Sequence, residues 1–178
     1  DVFTVRKREL DPEEVWEAGR GVAEEAVAAF VRMREKEGLQ LKADLTGRLE
    51  NIARTLTFIE ERAPQLKEEY YNRLYQKIAE LLADKNIDET RLVTEAAIFA
   101  DRVAIDEETV RLRSHLQQFA ELLETDQPVG RKLDFLVQEM NRETNTIGSK
   151  CQDVDITRRV VDIKSEIEKI REQIQNVE

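Results

Sequence analysis

A chain of 178 residues, 37% charged and 40% hydrophobic, with six glycines and three prolines, has enough apolar material for a core but too few turn formers for a sandwich or barrel. Its formal net charge of −10 argues against a general nucleic-acid binder, because an acidic surface repels a phosphate backbone. No apolar run reads as a membrane span or signal peptide, and the single Cys151 excludes an internal disulfide framework and fits a reducing cytoplasm.

The first ten residues, DVFTVRKREL, alternate in polarity and read as an extended piece. With no initiator Met, they are expected to follow on from an upstream part of a larger protein. In LDPEEVW, Asp11 is the expected N-cap, Pro12 takes the first helical position and Glu14 can complete a capping box. This helix is predicted to run to about Lys36 and to stop at Gly38. A second is predicted from Leu39 or Gln40, with Leu45, Leu49, Ile52, Leu56, Ile59, Ala63 and Leu66 at alternating spacings of four and three, a coiled-coil seam. Pro64 is expected to kink or break it, after which the pattern resumes through Tyr70, Leu74 and Ile78 to Leu82.

ADKNIDET, residues 83–90, reads as a turn with Asp88 as the next N-cap. Helices are predicted over about 89–103 and 106–125, the latter with Asp106, Glu107 and Glu108 in its first turn, where negative charge is favoured. DQPVG breaks the chain before a helix over 130–150. The last segment carries Ile156, Val160, Ile163, Ile167, Ile170, Ile174 and Val177, again spaced four and three. The two seams are expected to pack against each other as an arm, or against copies of themselves in an oligomer. The expected fold is all-α: a long-helix bundle with a coiled-coil-like arm from helices of about 40–84 and 153–178, and candidate site helices within 89–150.

GRKLDFLVQEMNRETNTIGSK, residues 130–150, carries helical apolar spacing but fills polar positions with Asn and Thr, which are poor helix formers. At 100° per residue, Leu133, Leu136, Val137, Met140, Thr144 and Ile147 form the core face. Asp134, Gln138, Asn141 and Asn145 line up beside it, flanked by Arg131, Arg142 and Ser149, with Lys132, Glu139, Glu143 and Lys150 as a further stripe. Over residues 129–150 four basic side chains stand against three acidic ones, a local positive balance in an acidic chain. Amides and Arg forks can hold a phosphate or base edge, and carboxylates a divalent metal; an interhelical hydrogen-bond network with salt bridges explains the same pattern. In IDEETVRLRSHL, residues 105–116, Glu108, Arg111 and the only His, His115, share one face, close to the line of Leu112, Phe119 and Leu122. They could bind metal, act as acid and base or anchor phosphate, or serve as satisfied residues beside a core. No CxxC pair, HExxH, P-loop, GxSxG or dinucleotide fingerprint is present.

The segments REKEGLQL (34–41), ETRLVTEAAIFADR (89–102), EETVRLRSH (107–115), VGRKLDFLVQEMNRETNTIGSK (129–150) and IEKIREQIQNVE (167–178) together resemble the YicC/YloC family. The resemblance covers essentially the whole chain but only the family's C-terminal, helical part; the β-rich N-terminal domain is expected to be missing, with DVFTV as its last remnant. It implies a cytoplasmic bacterial endoribonuclease that uses Mn²⁺ or Mg²⁺, hydrolyses phosphodiester bonds in RNA and assembles as a ring-like hexamer. The family motifs fall on Arg34, Glu37, Gly38, Glu95, Glu107, Glu108, Arg111, His115, Arg131, Asp134, Gln138, Glu139, Asn141, Arg142, Glu143, Asn145, Ser149 and Lys150. On that basis His115, Glu108, Glu139 and Glu143 are the expected catalytic residues. Glu107, Glu108, His115, Asp134, Glu139 and Glu143 are the expected metal set, and Arg111, Arg131, Gln138, Asn141, Arg142, Asn145 and Lys150 the expected RNA contacts. The chain departs from the family at Ala104, where an acidic residue is usual, and at Cys151, where Ser is common. The rival expectations are a helical scaffold or RNA-binding adaptor without catalysis, and a purely protein-binding coiled coil.

Overall fold

The computed structural model describes residues 11–81, 89–125, 127–151 and 153–175. The extended piece expected over 1–10, the turn with its cap at Asp88, and the seam ends at Leu82 and Val177 lie outside them. Five helices, α1 (Pro12–Leu81), α2 (Glu89–Arg102), α3 (Asp106–Leu122), α4 (Gly130–Lys150) and α5 (Val154–Ile174), make the chain all-α, with no strand among the described residues. None of these helices is long and apolar enough to cross a membrane.

The chain divides into two units, Asp1–Ala43 and Asp44–Glu178. In the first, Asp11 caps α1: its Oδ1 accepts the backbone N–H of Glu13 at 3.0 Å, and Pro12 opens the helix. This unit leaves Val15, Trp16, Val22, Val27, Phe30, Val31, Met33 and Leu39 exposed. The stop predicted at Gly38 does not occur. No described glycine has positive φ, so Gly38 makes no left-handed cap. Gly costs a helix only about 1 kcal/mol relative to Ala, too little to end one between REKE and LQLKA.

In the second unit, α1 also continues through Pro64. Proline removes one backbone hydrogen bond, at a cost of about 3 kcal/mol. Pro64 faces solvent, where water can take the freed carbonyl, while buried Leu56, Ile59 and Ala63 fix the helix before it. Leu66, Tyr70, Leu74 and Ile78 continue the same stripe half-buried.

Two buried rows build much of the core: Leu45, Leu49, Ile52, Leu56, Ile59 and Ala63 on α1, and Ile156, Val160, Ile163, Ile167, Ile170 and Ile174 on α5. Arg48 Nη1 meets Glu166 at 3.1 Å and Arg62 Nη2 meets Asp153 at 3.4 Å, so α1 and α5 run antiparallel. Each buried Leu or Ile contributes about 2 kcal/mol, against about 0.5–1 kcal/mol for the Arg48–Glu166 pair, so the apolar rows hold the helices and the ion pairs trim the edge. α3 also runs antiparallel to α1, through Lys67 to Asp106 at 3.0 Å and Arg113 to Glu60 at 3.2 Å. α4 packs on α3 and on α5, closing a four-helix core around Leu112, Phe119, Leu133, Met140 and Ile147, each fully buried. Gly148 allows the close approach of α4 to α5: a Cβ there would lie 3.0 Å from Val160 Cγ1. Asp153 caps α5, its carboxylate accepting the N–H groups of Asp155 and Ile156 at 2.9 Å.

Candidate functional site

α4 buries Leu133, Leu136, Val137, Met140, Thr144 and Ile147, the face its spacing predicts. Buried Thr144 is satisfied within its own helix, its hydroxyl donating to the Met140 carbonyl at 2.7 Å. That leaves two edges of α4, one along α3 and one in solvent.

The solvent edge holds the acid and amide row. Gln138 Nε2 donates to Asp134 Oδ2 at 2.8 Å, and Asn145 Nδ2 donates to Asn141 Oδ1 at 3.1 Å. Each pair spans one helical turn, so these groups bond along α4 instead of to a neighbouring helix. Asp134, Gln138, Asn145, Arg131 and Ser149 are exposed and Asn141 is half-buried.

The edge along α3 brings charged groups together in antiparallel register. At one end Lys150 Nζ donates to Glu108 Oε1 at 2.7 Å and to the Ala104 carbonyl at 3.0 Å. Glu108 is buried, and its second oxygen, Oε2, has no hydrogen-bond partner among the described residues. About one turn along α3, Arg111 pairs with Glu107 and approaches Glu143 at 3.9 Å. One turn further, His115, Glu139 and Glu143 converge, each with one ligand-type atom within 4.8 Å of the others. Glu143 is only 1% exposed, and His115 Nδ1 is buried without a hydrogen-bond partner among the described residues. Arg142 Nη2 bridges the two carboxylates, 2.9 Å from Glu139 and 3.0 Å from Glu143. That bond to Glu143, then the charge of Glu139, raises the guanidinium pKa above its already high value.

Of the six residues expected to form a metal set, His115, Glu139 and Glu143 are therefore brought together. Glu108 is engaged by Lys150, Glu107 by Arg111, and Asp134 by Gln138 on the solvent edge. Ala104 sits at the Lys150 end, offering its backbone carbonyl, away from the His115 cluster. Of the expected RNA contacts, Arg111 and Arg142 adjoin the cluster. Cys151 is half-buried, and burial, then Asp153 and Glu108, push its thiol pKa up, which disfavours the thiolate. Phe135, outside the expected site residues, is 59% exposed one turn before Glu139. The available signal was a large apolar residue on the polar side of an amphipathic helix.

A family described as "Endoribonuclease YicC-like, C-terminal" matches residues 59–178. The chain is 44% identical to the probable endoribonuclease YicC of Clostridioides difficile (strain 630), over all of this chain and 61% of that protein. It is 38% identical to the probable endoribonuclease YicC of Haemophilus influenzae, over 84% of this chain and 51% of that protein. The chain thus spans between half and two thirds of the length of these relatives.

Proposed function

This chain belongs to the family of YicC-like endoribonucleases, and we propose that it hydrolyses phosphodiester bonds within RNA with a divalent cation held by His115, Glu139 and Glu143. The observation that carries the reading is the convergence of an imidazole and two carboxylates within 4.8 Å, with His115 Nδ1 buried and lacking a hydrogen-bond partner among the described residues. A buried nitrogen left unpaired is costly unless something binds there, and the donor set of one imidazole and two carboxylates fits a cation. Carboxylate oxygens suit Mn²⁺ and Mg²⁺ alike, and the imidazole favours Mn²⁺ of the two.

A cation in this place supplies Lewis-acid polarisation of a phosphoryl oxygen and a water of lowered pKa. The chain's own residues do the rest. Arg111 and Arg142, beside the carboxylates, hold the phosphate through paired N–H donors. For Arg142 this means exchanging its bonds to Glu139 and Glu143 for bonds to the substrate. Arg131, Gln138, Asn141 and Asn145 line the solvent edge and orient the strand. Glu108 and Lys150, bonded to each other, fix α3 to α4 and so set the distance between His115 and the two glutamates. The proposal extends to assembly as a ring of copies in the bacterial cytoplasm, for which the apolar side chains exposed over residues 12–43 offer contact surface.

The test is incubation of an end-labelled structured RNA with the chain in Mn²⁺, in Mg²⁺ and in chelator, beside a Glu139→Gln/Glu143→Gln variant. Internal cuts are expected only with metal, and only from the parent chain, while both proteins keep the same helical circular dichroism. RNA that is retained but intact in every lane would instead establish the adaptor.

A further inference from the structure

Phe135 stands about 150° around α4 from the centre of its buried stripe, on the side with no part in the core. It is 59% exposed. Arg131, Phe135, Glu139 and Arg142 fall within an arc of about 80° on the helix, and Phe135 precedes Glu139 by a rise of about 6 Å. An aromatic face is thus presented in line with a guanidinium on one side and the His115–Glu139–Glu143 cluster on the other.

We propose that Phe135 is a stacking platform for an unpaired nucleobase, so that the strand held at the cluster is single-stranded RNA or an RNA loop. The inference rests on the endoribonuclease reading and adds the class of substrate to it. With a net charge of −10, the chain cannot rely on a general electrostatic attraction to hold RNA. Stacking is uncharged and sequence-tolerant, and supplies affinity where an acidic surface withholds it. Only unpaired bases expose the ring face that stacking needs; a duplex buries those faces in its own stack and shows a protein its backbone and groove edges. The neighbouring Arg131 and Arg142 match the phosphates on either side of such a base.

The experiment measures binding of a short single-stranded RNA carrying one 2-aminopurine, with chelator present so that no cutting occurs, followed by cleavage of the same RNA in Mn²⁺. The parent chain is expected to bind and to quench the 2-aminopurine. Phe135→Ala should bind about thirty-fold more weakly, the middle of the range for losing one base stack, and lose the quench, whereas Phe135→Trp should keep both. A duplex of the same sequence should bind weakly and be indifferent to the substitution. Unchanged affinity and quench in Phe135→Ala would overturn the platform. So would equal dependence on Phe135 for the duplex, or a change in sedimentation showing that Phe135 packs against a second copy. RNA that is bound and quenched through Phe135 but never cut would refute the nuclease reading alone. RNA cut equally well by Phe135→Ala, with unaltered binding, would refute the platform alone.

Discussion

Replacing Lys150 by Met should be among the more damaging substitutions in α4, and replacing its partner Glu108 by Leu markedly less so. The asymmetry follows from burial: the Glu108 side chain is 8% exposed and that of Lys150 is 31% exposed. Without the ammonium, Glu108 keeps a buried carboxylate with neither oxygen hydrogen-bonded among the described residues, since Oε2 already lacks a partner there. An uncompensated buried charge costs about 3 kcal/mol or more. Without the carboxylate, Lys150 can turn its ammonium to water or keep the Ala104 carbonyl, so Glu108→Leu should cost about 1 kcal/mol. The double variant should sit near Glu108→Leu, because an apolar pair leaves no buried charge and the half-buried Ala104 carbonyl can turn to water, giving a coupling of about 3 kcal/mol. Thermal unfolding reads this out: at about 2–4 °C per kcal/mol for a chain of this size, Lys150→Met should lower Tm by about 6–12 °C and the double variant by far less. Equal losses from the two single variants, or additive losses in the double, would show that the burial of Glu108 does not set the cost.

Arg142→Gln should raise Mn²⁺ affinity several-fold in the absence of RNA, measured by calorimetry, because it removes the guanidinium that bridges Glu139 and Glu143; RNA cleavage should fall at the same time. Gly148→Ala should gain about 1 kcal/mol of helix propensity yet destabilise by about 1 kcal/mol net, because the new methyl meets Val160 in a fully packed row; Val160→Ala in the same chain should reverse the sign. Urea unfolding checks both. Glu166 has its pKa lowered by the hydrogen bond from Lys169 and then by Arg48. The stability it contributes is therefore present above its ordinary value of 4.5 and lost as pH falls through the depressed folded value. Glu166→Gln should cost about 1 kcal/mol at pH 7 and nothing measurable once both states of the parent are protonated, as urea titrations at the two pH values would show.

The helices were legible where burial has a period. The rows Leu45–Ala63 and Ile156–Ile174, and the face from Leu133 to Ile147, are buried as their spacing requires. The misses came from local breakers: the stop expected at Gly38 and a break at Pro64 do not occur, because continuous helix formers or buried neighbours offset costs of a few kcal/mol at most. In the site, spacing showed that Glu139 and Glu143 share a face, as do Glu108, Arg111 and His115. It did not show which residue of α3 meets which of α4. That register is set by how Leu112 and Phe119 seat among Leu133, Met140 and Ile147, a matter of packing shape that no one-dimensional pattern carries. Register puts Lys150 on Glu108 and leaves His115 with the two glutamates. The asparagines, unusual for a helix, bond along it.

In the function proposed above, His115, Glu139 and Glu143 hold a divalent cation. The most direct test is Mn²⁺ titration of the chain followed by electron paramagnetic resonance, with His115→Ala and Glu139→Gln/Glu143→Gln alongside. One ion per chain is expected for the parent, with loss of that ion in both variants while their helicity is unchanged. Equal Mn²⁺ binding by all three proteins, or none by the parent, would contradict it.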